Sequence, residues 1–231
     1  MTKELNTEQL TALAKQFREM SCEVAELHSD PRSKALYIEQ IEFRRTLTKE
    51  SDRAAALMAG AYLDELLKTL ISEQLVDDAN IQKSVIGTGG AIDSFSSRIN
   101  LAYLLGLIPN NIRYDLDLIR RIRNEFAHTA GPMDFEKDSV RSRCFLFKAP
   151  LSVEHLDASG RFLRASVVCA NRIGTALLTI KRLEAAEDYD DTHTLKYMDS
   201  LNEYVKEKLG VDMVDIRKML DQNSQPKDVM R

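Results

Sequence analysis

Residues 111–128 read NIRYDLDLIRRIRNEFAH. Ile112, Leu116, Ile119 and Phe126 recur at helical spacing and form one apolar stripe, so the stretch reads as an amphipathic helix. Pro109 precedes it and the pair Gly131-Pro132 ends it, because proline cannot continue a helix and glycine accepts the turn beyond one. At about 100° per residue, Arg123 falls some 40° past Ile119, close to the centre of the stripe. His128 lies on the opposite side, in line with Asp117, Arg121 and Asn124. An unpaired buried guanidinium is costly. Arg123 is therefore expected to find a carboxylate partner, with Asp52, Asp64 and Glu65 as candidates, or to face a second subunit or a cleft.

The same period continues on both sides. Ser94 is placed to cap a helix through Leu105, ended by Gly106. Ser51-Asp52 caps a long helix to about Val76, with Met58, Tyr62, Leu66 and Leu70 on one stripe. Asp77 to Asp93, with Gly87, Gly89 and Gly90, reads as a loop. Upstream lie a helix over about Leu36–Leu47 and one over Thr7–Leu27, the latter ended by Asp30-Pro31. Downstream, Phe135–Lys148 reads as a short helix or a strand pair. A long helix follows over about Asp157–Glu187, then helices near Leu195–Leu209 and Val211–Leu220, and a polar, mobile end QNSQPKDVMR. Nine glycines and five prolines are too few for the turns of an all-β chain. The expected fold is all-α, a helical bundle with a helical C-terminal extension. Its expected parts are N-terminal helices over 1–50, a core over 51–190 and an acidic helical tail over 191–231.

Composition bounds the function. The chain has 231 residues, 44% of them apolar and 29% charged, enough for a packed core. A net charge of −4 excludes a broadly basic nucleic-acid binder and leaves room for a local basic patch. From Glu184 onward there are 12 acidic and 7 basic residues, read as a solvated face; nucleic acid would avoid it and seek the central arginines, Arg120 and Arg121 among them. No apolar run approaches the ~18 residues of a membrane span, and the polar N-terminus has no signal core. Cys22, Cys144 and Cys169 have no CxxC spacing, which fits free thiols in the cytosol.

Several chemistries are excluded by pattern. The glycine run 87–90 lacks the lysine and hydroxyl residue of a phosphate loop. His28, His128, His155 and His193 are scattered without zinc spacing, and no GxSxG elbow occurs; neither a metal nor a cofactor is expected. Leu195–Leu220, the best helix-turn-helix candidate, carries Asp212 and Asp215 on its second helix, which suits a DNA phosphate backbone poorly.

Arg123-Asn124-x-x-x-His128 resembles the R-x4–6-H signature of HEPN proteins, helical bundles that include metal-independent endoribonucleases and regulatory modules. The surroundings resemble a second family. Ser51-Asp-Arg-Ala-Ala-Ala-Leu-Met-Ala, the helix from Ser94, Asp117-Leu-Ile-Arg-Arg-Ile-Arg-Asn-Glu-Phe-Ala-His and Val140-Arg-Ser-Arg-Cys, in that order, are similar to the mannitol operon repressor (MtlR/MltR-like) family of all-helical bacterial regulators. That resemblance covers about Glu50 to Lys148. It implies an HEPN-like bundle and negative regulation of gene expression through a protein or RNA partner. The alternative, implied by the HEPN-like signature, is a metal-independent endoribonuclease, a toxin or defence effector. There His128 would serve as base or acid, Arg123 as the cation for phosphorane charge and Asn124 as an orienting group. Arg123 and His128 stand about 140° apart on a regular helix. They converge across a dimer cleft, the arrangement the resemblance implies, or where the last helical turn is distorted, so a homodimer is expected.

Overall fold

The computed structural model describes residues 30–149, 156–190 and 192–212, with isolated positions between 12 and 23 and at 215 and 218. The helices expected over Thr7–Leu27 and Val211–Leu220, and the polar end, lie largely or wholly outside the described residues. All regular structure described is helical: α1 Pro31–Leu47, α2 Asp52–Gln74, α3 Ala79–Ile86, α4 Phe95–Leu104, α5 Asn110–His128, α6 Asp138–Cys144, α7 Ala158–Thr179 and α8 Thr192–Leu209. Two compact units divide the chain, Met1–Glu184 and Ala185–Arg231.

Side-chain caps set most boundaries. Ser51 accepts the Ala54 N–H, Asp157 accepts the Gly160 N–H, and Ser94 and Ser97 form a reciprocal capping box at α4. Three sequence expectations change. The helix expected from about Leu36 starts at Pro31: the Asp30 carboxylate accepts the Ser33 N–H at 2.7 Å, and Pro31 occupies the first turn, where its missing N–H costs nothing. The segment read as a loop contains α3, because Asp78 caps it through the Asn80 and Ile81 N–H groups. Phe135–Lys148 forms the short helix α6 and no strand pair, and the long helix α7 ends at Thr179 instead of Glu187.

In the first unit α2 is the central helix, packed against α1, α4, α5 and α7. Leu63, Leu67, Leu70 and Ile71 from α2 meet Leu116, Ile119, Ile122 and Phe126 from α5 and Phe162, Cys169 and Ile173 from α7, all fully buried. Each large side chain so buried contributes ~1.5–3 kcal/mol relative to exposure. The rings of Phe126, Phe135 and Phe162 follow one another with centroids 5.0 and 4.8 Å apart and tie the loop after α5 to α7. Small residues Ala55, Ala56, Ala59 and Gly60 line the buried side of the first half of α2. At Gly60 an added Cβ would stand 2.7 Å from Arg123 Cγ, so the glycine makes room for the Arg123 stem between α2 and α5.

Two buried charges fasten the periphery. Arg98 on α4 bonds Asp64 on α2 at 2.7 Å and the carbonyls of Ile86 and Ile92. Asp115 on α5 is wholly buried, and its two carboxylate oxygens accept the N–H groups of Lys148 and Ala149, each at 2.7 Å. Burial pushes the Asp115 carboxyl above its ordinary value, against the pull of those two donors. The second unit contributes α8, none of whose residues is buried. Among the described residues no helix is long and apolar enough to cross a membrane.

Candidate functional site

The C-terminal half of α5 and the facing side of α6 enclose an open depression of about 610 Å³ lined by Arg120, Arg121, Asn124, Glu125, His128, Thr129 and Arg143. Helical geometry explains its floor. Arg121, Asn124 and His128 stand three or four residues apart, on the side of α5 turned away from the Leu116–Ile119–Phe126 stripe. Arg143 enters from α6, one turn before the buried Phe147.

The cations are held by too few anions. Asp117 takes both Arg120, at 2.7 and 3.0 Å, and Arg121, at 2.8 Å. Glu125 takes Arg143, Lys137 at 3.2 Å and the Ser139 hydroxyl. Each carboxylate thus carries two cations, and the depression keeps an excess of two positive charges on side chains already fixed in direction. Burial raises the Glu125 carboxyl, but the bonds from Ser139, Arg143 and Lys137 outweigh it and leave it below its ordinary value. His128 is exposed at the last residue of α5, on the rim. The Thr129 and Gly131 carbonyls beyond it are tied to the Arg53 guanidinium at 2.9 and 2.7 Å.

Arg123 is elsewhere. Its stem lies against Gly60, its Nε is buried with no hydrogen-bond partner, and its Nη1 donates to Asn124 Oδ1 at 3.0 Å. It does not line the depression. Among the described residues it has no ion pair. Asp52, Asp64 and Glu65, its expected partners, are engaged otherwise: Asp52 accepts the Phe135 N–H, Asp64 pairs with Arg98, and Glu65 pairs with Lys68. The physical reason is Gly60. With no Cβ on α2 at that level, the aliphatic stem and Nε are buried against the helix while Nη1 bonds Asn124, and the residue as a whole stays partly exposed without an ion pair.

The depression thus joins Arg120, Arg121, Asn124 and His128 and leaves Arg123 reaching it only through Asn124. Sequence reasoning passed over Asp117, Glu125 and Arg143 as members of this cluster. The i, i+3 and i, i+4 spacing of Asp117, Arg120 and Arg121 is a local signal for the first; the Glu125–Arg143 pair joins two helices and has no local signature.

No family model and no curated protein matches the chain. Among solved structures it is similar to a chain of the MtlR–HPr complex from Escherichia coli, at 16% identity over 58% of this chain and 98% of that one, with a TM-score of 0.49. A likeness of that size is too slight to bear on function.

Proposed function

We propose that the chain is a non-catalytic regulator of gene expression of the mannitol-repressor type, acting in the cytosol by holding a protein partner on the α5–α6 face. One observation carries this reading: Arg123 lies in the helix packing against Gly60 while His128 stands on the open rim, so cation and imidazole do not share a cleft wall within one chain. What the depression offers is a preset array of guanidinium, amide and hydroxyl donors. Such an array suits recognition of an anionic surface.

A second reading has its own observation. Asn124 both lines the depression that His128 rims and accepts from Arg123, so it connects the guanidinium to that depression. In a ribonuclease, His128 would take the ribose 2′-hydroxyl proton, and the linked Arg123–Asn124 pair would stabilise the phosphorane. Incubating the purified chain with total RNA in EDTA decides between the two. The regulatory reading expects intact RNA, with transcripts derepressed in cells lacking the chain and repression retained by His128→Gln. Fragments ending in cyclic phosphate, lost by a folded His128→Gln, overturn it in favour of the nuclease.

A further inference from the structure

Charge is unevenly placed along the chain. Residues 1–183 carry 25 basic and 24 acidic side chains, so the acidity resides in residues 184–231, with 7 basic and 12 acidic. Its densest part is the sequence EAAEDYDD over 184–191, with five carboxylates and no cation. Residues 184–190 are exposed and non-helical, with Tyr189 81% exposed at their centre. Among the described residues none of Glu184, Glu187, Asp188 and Asp190 is ion-paired; the one bond the four side chains make, within the described residues, is from the Thr192 N–H to Asp190. An unpaired anionic run and a depression with two surplus cations are therefore both present in one sequence. Resting on the reading of the α5–α6 depression as a site for an anionic protein surface, we propose that the partner it holds is the acidic run 184–191 of a second copy, and that the exchange is reciprocal.

Chain length argues for a second copy as the source. Leu183 is fixed at the C-terminal end of α2 by its N–H bond to the Gln74 carbonyl at 2.8 Å, and Arg182 bonds Asp77 beside it. The Thr129 rim of the depression is fixed at the other end, by Arg53. From Arg53 to Gln74 the helix rises about 32 Å, and the Arg53 side chain leans further from Gln74, as helical side chains tilt toward the N-terminus. Asp190, seven residues beyond Leu183, reaches at most about 25 Å from it, even fully extended. Arg123 beside Gly60 sets Arg120 nearer Gln74 than the rim is, so chain length bars a chain's own run from the His128–Thr129 end alone, and a run that fills the whole depression comes from another molecule. Reciprocal exchange gives each partner the same two contacts, which is the closed two-fold arrangement of most homodimers. Asp117 and Glu125 lie within the cationic face, and they hold the guanidiniums in place without cancelling them.

A charge swap on the full chain tests this. One variant carries Arg120→Glu and Arg121→Glu; the other carries Glu187→Lys, Asp188→Lys and Asp190→Lys, which take the run from five negative charges to a net of +1, in an exposed non-helical segment whose change leaves the core untouched. Sedimentation should show a wild-type dimer that weakens at least ~10-fold between ~50 mM and ~500 mM salt, since the contact is charge-driven and rim-exposed. Each variant alone should be monomeric, and an equimolar mixture should recover the dimer, because both interfaces of the mixed pair are again complementary. Melting curves of the arginine variant establish that it is folded. A wild type that is monomeric at low salt overturns the proposal, as does a dimer indifferent to the three lysine substitutions. So does a depression that binds an RNA oligonucleotide equally well with and without those changes.

Discussion

Gly60→Ala is the most informative single change in this molecule, because two effects of known size oppose each other there. In an exposed helix interior the substitution stabilises by ~1 kcal/mol, since alanine loses less backbone freedom than glycine. Here the new methyl would lie 2.7 Å from Arg123 Cγ, 3.2 Å from its Cβ and 3.5 Å from its Cδ. These are stem atoms close to the α5 backbone, so the strain is relieved only by parting the helices or forcing a poor Arg123 rotamer. Overpacking of that kind costs ~1–3 kcal/mol. The net expectation is destabilisation by about 1 kcal/mol, seen as a lower urea midpoint with unchanged slope. In an Arg123→Ala background only the Cβ contact at 3.2 Å remains. There the same Gly60→Ala change should stabilise, by a few tenths to ~1 kcal/mol, giving a coupling of roughly 1–3 kcal/mol across the cycle. Equal effects in both backgrounds, or a Gly60→Ala protein more stable than wild type, would falsify the packing account of Arg123.

Asp115→Ala strands the Lys148 and Ala149 N–H groups and should cost about 2–3 kcal/mol in urea unfolding, with Asn recovering only part because it presents one acceptor to two donors. Glu125 has a folded pKa below its unfolded one, so its contribution is present above the ordinary carboxylate range and is lost as pH falls through the lowered value. Thermal melts of Glu125→Gln should therefore be less acid-sensitive than wild type over that interval, and an identical acid slope refutes the assignment. Cys144 is buried, which pushes its thiol up to about 12, and full burial raises the Cys169 thiol well above its ordinary value. With a thiolate fraction near 10⁻⁴ at pH 8, Cys144 should resist a disulfide reagent in the native protein and react on unfolding.

Where the sequence could be read, the signal was local. Ser51 and Ser94 announce α2 and α4 because a cap bonds within three residues of itself, and the α5 stripe shows its buried face through spacing alone. Asp30-Pro31 carries the same local chemistry, but the polar turn Pro31–Lys34 hides the helix start, so the apolar spacing alone begins that helix only at about Leu36. The site divides similarly. Asp117 with Arg120 and Arg121 is visible as helical neighbours, whereas Arg123 next to Gly60 depends on two helices meeting 63 positions apart in the sequence. Asp115 looked like an ordinary polar residue because the two amides that explain it lie 33 and 34 residues downstream.

The Arg98 contacts bear on how the molecule breathes. Between Leu75 and Ser94 the buried apolar side chains reduce to Ile86, so this stretch is fastened to the bundle chiefly by one guanidinium gripping Asp64 and the carbonyls of Ile86 and Ile92. A polar knot of that kind opens as a unit once its bonds exchange with water, while the leucine and phenylalanine core stays closed. Amide protons of α3 are thus expected to exchange through a local excursion of lower free energy than those of α2 and α5, making this corner the first step of any stepwise unfolding.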